Sequence, residues 1–533
     1  MSETVAEQWC NLLVWGGFRL LYSHAGEKEN ALTEKLRREN LFSRRVELQQ
    51  ESAVVAAAAA GARLTGEHTV CYAGCFPGIC NACAVLLETE SMQDPLLVLG
   101  VLPPGAAADS LSGAKVVERA ETAAEQLAEA IKWVRDGRKT QILLLRENVA
   151  AAPAAEPLPS LRTILPALPQ RPHPTAVAEL AALLAASERT VFLCGHGCAG
   201  AREEILAVAR RLQIPVAFTL SGKDIMEGDN ELSIGMPGQL GWGAAPCALE
   251  DCDLLVLWGT DYPGSAPLPQ QGHIVQVGSY PESPGQRVNL RLGVTGDMRQ
   301  VALALLPLLP LQAKDDFAAA MRSLHRREQT RLETHVRCTD DTLALRPELV
   351  TRLLSDLAEP DAIFCVDTGA PLMWCARYLH PSGRQRLTAS FRLGLPDIAL
   401  PMGVGIKAAY PSRQVIAVCS SEGMLRYLSE LQTLRREHLS LKVLVYRPTP
   451  AESIRIDTGH STVQDCPLPT LSPASLAAAM GVKSLSVNSP EKLYREMRRW
   501  LAETEASVLE TVVDAHALQL PPPDNRASAP FRF

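Results

Sequence analysis

Four cysteines stand within the stretch "VCYAGCFPGICNACAVL": Cys71, Cys75, Cys80 and Cys83. Thiolates this close together could hold zinc or an iron–sulfur cluster. The spacing C-x3-C-x4-C-x2-C matches neither kind of run, so no metal site is expected. Cys71 reads as part of a buried strand, while Cys80 and Cys83 fall on a helix opened by Pro77-Gly78, three apart and on one face. A second pattern, Gly195-His196-Gly197-Cys198-Ala199-Gly200, is a Gly-x-Gly-x-x-Gly after a strand-like run, and its Gly195, Gly197 and Gly200 could receive a nucleotide phosphate. No acidic residue closes the next run, "PVAFTL", in the way a dinucleotide site requires, and His196 reads as an ordinary turn histidine. The third pattern is Glu51, which follows "VELQQ" and heads the alanine-rich helix "ESAVVAAAAAGARLTG". A carboxylate there can share a proton with a ring nitrogen, or simply stabilise the helix dipole. No nucleophile elbow or Ser-His-Asp set is recognisable.

These residues need a scaffold, and the chain is long enough to build one. It has 533 residues, 47% of them hydrophobic, with a formal charge of -7. That composition excludes general disorder, and the absence of a basic stripe excludes nucleic-acid binding as the leading function. The N-terminus lacks a signal-peptide pattern, and no apolar run reaches the ~18 residues of a membrane span, so a cytoplasmic protein is expected. Short apolar runs alternate with helical patterns in three successive segments, which predicts an α/β protein of three doubly wound parallel-sheet domains. The first domain takes 1–165, the second 176–311 and the third 345–517. Segments 150–175 and 312–344 connect them, and 518–533 forms a proline-containing tail. The charges of "RSLHRREQTRLETHVR" read as the solvated face of a helix.

The helix ending "ARLTG" resembles the pyrimidine-binding domain of thiamine diphosphate enzymes of the acetohydroxyacid synthase, pyruvate oxidase and 2-oxo acid decarboxylase type. There a His-Glu pair precedes such a helix, and here the pair is Gln50-Glu51. The likeness continues through "PGICNACAVLLETESMQDPLLVLG". It runs on in "RTVFLCGHGCAGAREEILAVARRLQIPVAFTLSGKD" and "DCDLLVLWGTDY" of a middle Rossmann-like domain. In the third segment it includes "DAIFCVDTG" and "LGLPDIALPMGVGIKAAYPSRQVIAVCSSEG". The resemblance implies that Glu51 hydrogen-bonds the aminopyrimidine ring and promotes the ylide. It also implies at least a homodimer, because family cofactors bridge two subunits, and the expected assembly is a homodimer or a homotetramer.

The same resemblance exposes departures at the diphosphate end. Family members hold magnesium through an aspartate of a Gly-Asp-Gly motif and an asparagine after the next strand, since hard cations require oxygen ligands. Ser421 stands in place of that aspartate, with Glu422 beside it, and Arg447-Pro448 stands in place of the asparagine pair. Pro396 replaces the large apolar residue that bends the cofactor, and Asp397 replaces a glycine. Gly369-Ala370-Pro371 replaces Gly-Gln-His, and Phe76 stands where a glycine lines the thiamine cleft. In the middle domain, Asp261 replaces an arginine of FAD-binding relatives, which counts against FAD or ADP.

Two functions follow from this pattern. The first is a divergent acetolactate synthase-like protein, a pseudoenzyme with a degenerate metal site, which binds a metabolite or a protein partner without magnesium–thiamine diphosphate catalysis. The alternative is an active 2-oxo acid decarboxylase or carboligase that uses Glu51, with Glu422 one residue from the lost aspartate and Arg447 neutralising a phosphate directly as an altered anchor.

Overall fold

The computed structural model describes residues 3–26, 30–37, 41–103, 105–106, 113–136, 140–155, 169–260, 266–267, 269–278, 288–310, 316–337, 345–449, 455–457, 462–464 and 471–514. Three parallel sheets form where the alternating pattern places them. The first runs Arg44–Leu48, Leu20–His24, Thr69–Cys75, Leu96–Leu102, Gln141–Arg146, Ala114–Val117, every pair parallel. The second runs Leu292–Thr295, His273–Gly278, Leu254–Trp258, Thr190–Cys194, Val216–Phe218. The third runs Arg386–Thr388, Ile363–Val366, Val415–Ser420, Lys442–Pro448, Ser507–Val513, Lys483–Val487. Helices cover both faces, so a strand such as "LLVLGVL" is buried along its whole length and needs no alternation of polar residues.

Counted from its own first parallel strand, the first sheet has the order 2-1-3-4-6-5, and so does the third once the small antiparallel hairpin of Arg455–Asp457 and Thr462–Gln464 is set aside. In both domains the helix after the second strand carries alanine and glycine where a close approach needs them. These two helices, Glu51–Thr65 and Ala399–Ala409, pack against each other. Their backbones nearly touch, because a Cβ on Gly405 would lie 2.1 Å from the carbonyl oxygen of Ala57. Alanine and glycine permit that approach, and alanine also carries the best helix propensity. Valines 54 and 55 and Leu64 add buried apolar surface, each contributing about 1.5–3 kcal/mol. The Tyr22 hydroxyl donates to the Gly405 carbonyl at 2.7 Å, and the Tyr410 hydroxyl to the Leu64 carbonyl at 3.0 Å. First and third domains therefore share one core.

The middle domain is tied to the third by charge. Arg386 Nε meets Asp224 at 2.7 Å, and His380 Nδ1 meets Glu227 at 2.8 Å. Glu227 also pairs with Lys223, whose ammonium is fully buried beside the Trp242 ring, 5.4 Å from its centroid. Burial opposes ionisation of Glu227, but Lys223 and His380 hold its carboxyl below the usual range. Segment 312–344 contains the helix Asp316–Arg337, which buries Phe317, Met321, Leu324 and Leu332 and exposes charge on its other face.

Local structure departs from expectation in the cysteine-rich stretch. Cys80 and Cys83 do not ride one helix: Phe76–Asn81 ends at Ala82, and a new helix, Cys83–Met92, begins at the next residue. Asp261 and the tail 518–533 lie outside the described residues. Among the described residues no helix is long and apolar enough to cross a membrane.

Candidate functional site

In open parallel sheets, ligands bind beyond the carboxyl ends of the strands. The strand Arg44–Leu48 delivers Glu51 there, at the first position of its helix, where Gln50 provides no side-chain cap. Among the described residues the half-buried Glu51 carboxylate forms neither an ion pair nor a hydrogen bond. Gly78 faces it so closely that a Cβ there would stand 2.9 Å from Glu51 Cγ and Oε1. Phe76, half-buried against the shared core, opens the helix that carries Gly78.

The third domain clamps this helix head. Glu430 accepts backbone N–H groups from Gln49 at 2.9 Å and Gln50 at 3.2 Å, together with the Thr433 hydroxyl at 2.8 Å. Burial pushes the Glu430 carboxyl up to about 7 despite those donors. Tyr427 donates to Ser52 at 3.1 Å, and the Gln50 amide donates to the Arg426 carbonyl at 3.1 Å.

A second carboxyl lies at the strand ends of the third domain. Asp367 follows the strand Ile363–Val366, is fully buried, and accepts the N–H of Ala399 at 2.7 Å and of Ser420 at 3.1 Å. Burial pushes its carboxyl up to about 7. The two N–H groups oppose the rise, while Asp397 and Glu422 add to it. A Cβ on Gly423 would come within 2.1 Å of Asp367 Oδ2, which explains the glycine.

The residues that the resemblance singles out at the diphosphate end are mostly engaged within the chain. Ser421 is buried, and its hydroxyl donates to the Tyr446 carbonyl at 3.3 Å. Arg447 meets Glu510 at 2.8 Å and not Glu422, which is exposed. Glu510 further accepts the Ser472 hydroxyl at 2.6 Å and the Ala474 N–H at 2.9 Å. Although burial pushes the other way, these donors and Arg447 hold its carboxyl low. Pro396 is exposed. Asp397 has a left-handed backbone, at φ +65°, a region that favours glycine and that Asp tolerates better than most residues. Its carboxylate meets Arg426 Nε at 2.9 Å.

The glycine pattern of the middle domain has a packing explanation. A Cβ on Gly195 would stand 2.5 Å from Thr260 Cβ, and one on Gly197 would stand 2.8 Å from Gly259 Cα. The Gly197 N–H donates to the Gly259 carbonyl at 3.0 Å, and a 3-10 turn, His196–Cys198, separates the strand from the helix Arg202–Leu212. The Gly195 and Gly197 amides that could have cradled a phosphate face protein instead, the Gly195 N–H going to Trp258. Gly200 faces open space.

The structure thus gathers Glu51, Phe76 and the loop around Asp397 along one seam between first and third domains, with Arg447 turned toward Glu510. Sequence reading passed over Asp367, Arg426 and Glu430. Asp367 had a signal, as the residue that ends an apolar strand in "FCVDTG". Glu430, in "YLSELQ", had none, being one charged residue at the start of a helix that also carries two arginines. Magnesium draws on oxygen ligands, carboxylates and carbonyls above all. At the two positions that the resemblance assigns to the metal, Ser421 offers a neutral, buried hydroxyl and Arg447 a cation paired with Glu510, so these residues do not fit a metal-anchored diphosphate.

Comparison with known proteins gives an independent view. The family models described as the thiamine pyrophosphate enzyme N-terminal TPP binding domain, central domain and C-terminal TPP binding domain match residues 3–129, 177–305 and 367–511. A putative thiamine pyrophosphate-containing protein, YdaP, of Bacillus subtilis is 24% identical over 530 residues, covering 96% of this chain and 92% of its own. An uncharacterized 42.6 kDa protein of Pseudomonas amyloderamosa is 30% identical over 354 residues, 62% of this chain and 88% of its own. A probable acetolactate synthase large subunit of Methanocaldococcus jannaschii is 28% identical over 374 residues, 66% of this chain and 62% of its own.

Proposed function

Starting from a chain that belongs to the thiamine pyrophosphate enzyme family, we propose a divergent, acetolactate synthase-like protein that works without metal-anchored thiamine diphosphate. It acts by binding a metabolite or a protein partner, as a homodimer or homotetramer. One observation carries this reading: the groups standing where the metal and diphosphate ligands belong are already satisfied inside the chain, Ser421 by Tyr446 and Arg447 by Glu510. Releasing either would leave a buried acceptor or an uncompensated carboxylate, at a cost of roughly 1–3 kcal/mol or more.

The Glu51 carboxylate supports a second reading, an active 2-oxo acid decarboxylase or carboligase. Left unpaired beside Gly78, it retains the position that family members use on the aminopyrimidine. One experiment separates the two. Protein purified and denatured is assayed for released thiamine diphosphate, and its melting temperature is measured with and without added cofactor and magnesium. The first reading expects no cofactor and no shift. Stoichiometric cofactor, or a stabilisation abolished by Glu51→Gln, establishes the second. Sedimentation at micromolar concentration tests the oligomer.

A further inference from the structure

A cavity of about 240 Å³ opens where the linker helix Asp316–Arg337 meets the helix Pro347–Leu357 and the end of the helix Ala370–Tyr378. It is smaller than the roughly 300–1,000 Å³ of drug-sized sites, and it shares no residue with the Glu51 seam. Leu332 and Val336 give it an apolar side, and its charged walls are Arg352, Asp356 and Glu333. Arg352 Nε meets Asp356 at 3.3 Å one helical turn along, so these two compensate each other. Glu333 has no ion pair among the described residues, which leaves one negative charge over. Two further groups of the wall lack a partner. Tyr378 is 1% exposed, its ring tilted against Trp374, and its hydroxyl is buried without a hydrogen bond among the described residues. Buried hydroxyls are hydrogen-bonded as a rule, so this one is short of a partner. His380 Nδ1 meets Glu227 at 2.8 Å, and Glu227 is itself paired with the buried ammonium of Lys223. A carboxylate only accepts, so Nδ1 carries the proton, and the neutral ring keeps its lone pair on Nε2, which no described residue engages.

We propose that this cavity binds a small organic amine, a primary ammonium on a short apolar body. An ammonium has three N–H donors and no acceptor, which suits the Glu333 carboxylate, the His380 Nε2 lone pair and the Tyr378 oxygen, while the alkyl chain covers Leu332 and Val336. An anion would meet Glu333 and Asp356 together, and a neutral molecule would leave the excess charge of the wall uncompensated. The walls belong to the linker helix and the third domain, and His380 is tied through Glu227 to the middle domain. The bound amine therefore tightens the seating of the middle domain on the third. The site does not depend on whether thiamine diphosphate binds.

The test uses the full chain at neutral pH in calorimetric titrations and melting curves, with n-butylamine and putrescine as probes and butanoate and butanamide as controls. Both amines are expected to bind saturably and to raise the melting temperature, and neither control to do so. Glu333→Gln changes an exposed side chain and should weaken amine binding at least about tenfold, the usual effect of losing a charged hydrogen-bond partner. Tyr378→Phe keeps the ring and removes only the hydroxyl. It should weaken binding by a smaller factor and leave the melting temperature of the free protein unchanged or higher, because no described residue holds that hydroxyl. The proposal is overturned if neither amine binds, if butanoate binds as tightly as n-butylamine, or if either variant binds the amines as the wild type does.

Discussion

The first and third domains are built to the same strand order and meet through equivalent helices, yet their facing edges have opposite chemistry. At the edge of the first, Glu51 has an uncompensated carboxylate with a glycine cleared in front of it. At the edge of the third, most of the polar groups are engaged: Asp367 by two backbone amides, Asp397 by Arg426, Ser421 by Tyr446 and Arg447 by Glu510. A group left unpaired is available to a ligand, whereas a group paired internally must first be released. The contrast shows how a common scaffold can keep one half of a binding seam open while the other half closes on itself.

The scaffold itself can be broken at the helix crossing. Gly405→Val would drive a side chain into the Ala57 carbonyl, where backbone stands on both sides and cannot give way. We expect a loss of at least about 3 kcal/mol in urea unfolding, with first and third domains separating before either melts. A smaller effect sharpens the comparison at the closed edge. Ser421→Asp would place a carboxylate beside the Tyr446 carbonyl and in the field of Asp367, costing about 2 kcal/mol without metal. Recovery of that loss by millimolar magnesium would show that the edge can be reopened, and equal loss with and without magnesium that it cannot.

Asp367 gives a pH signature. Its folded carboxyl is pushed up to about 7 from an unfolded value near 3.9, so the folded state holds the extra proton between those limits. The associated stability is fully present below about pH 4 and is lost as pH rises through about 7. Asn at 367 cannot titrate, and its amide cannot accept from both Ala399 and Ser420. The penalty of Asp367→Asn, about 1–2 kcal/mol, should therefore be larger at pH 5 than at pH 8 when both proteins are unfolded in urea. Asp397→Gly has the smallest expected effect. It relieves a left-handed backbone but gives up a pair in which Arg426 is 60% exposed, so the two terms should cancel to within about 0.5 kcal/mol.

Much of this architecture was legible in the chain. Strands such as "LLVLGVL" and "VIAVCS" declare buried parallel strands by being apolar throughout, and the alanine run after Glu51 declares a helix meant for close packing. The positive φ of Asp397 was not legible in its own residue type, and only the glycine expected there from the resemblance hinted at it. The engagements that decide the site were not legible. Arg447 and Glu510 are 63 positions apart, and Glu430 reaches Gln49 across 381. Pattern reads neighbours along one element, whereas the first of these contacts depends on two strands pairing within the third domain and the second on how first and third domains dock. The break at Ala82 was also hidden, since no glycine or proline marks it.

The docking of Tyr22 onto Gly405 joins points 383 positions apart along the chain. At synthesis rates of ~5–20 residues per second, the alanine-rich helix emerges roughly 17–70 seconds before the helix that covers it. For that interval the nascent chain displays an apolar face with no partner, while the middle domain, with a core of its own, folds in between. The same close crossing that joins first and third domains therefore leaves the half-made protein with apolar surface that only the last third of the chain can cover.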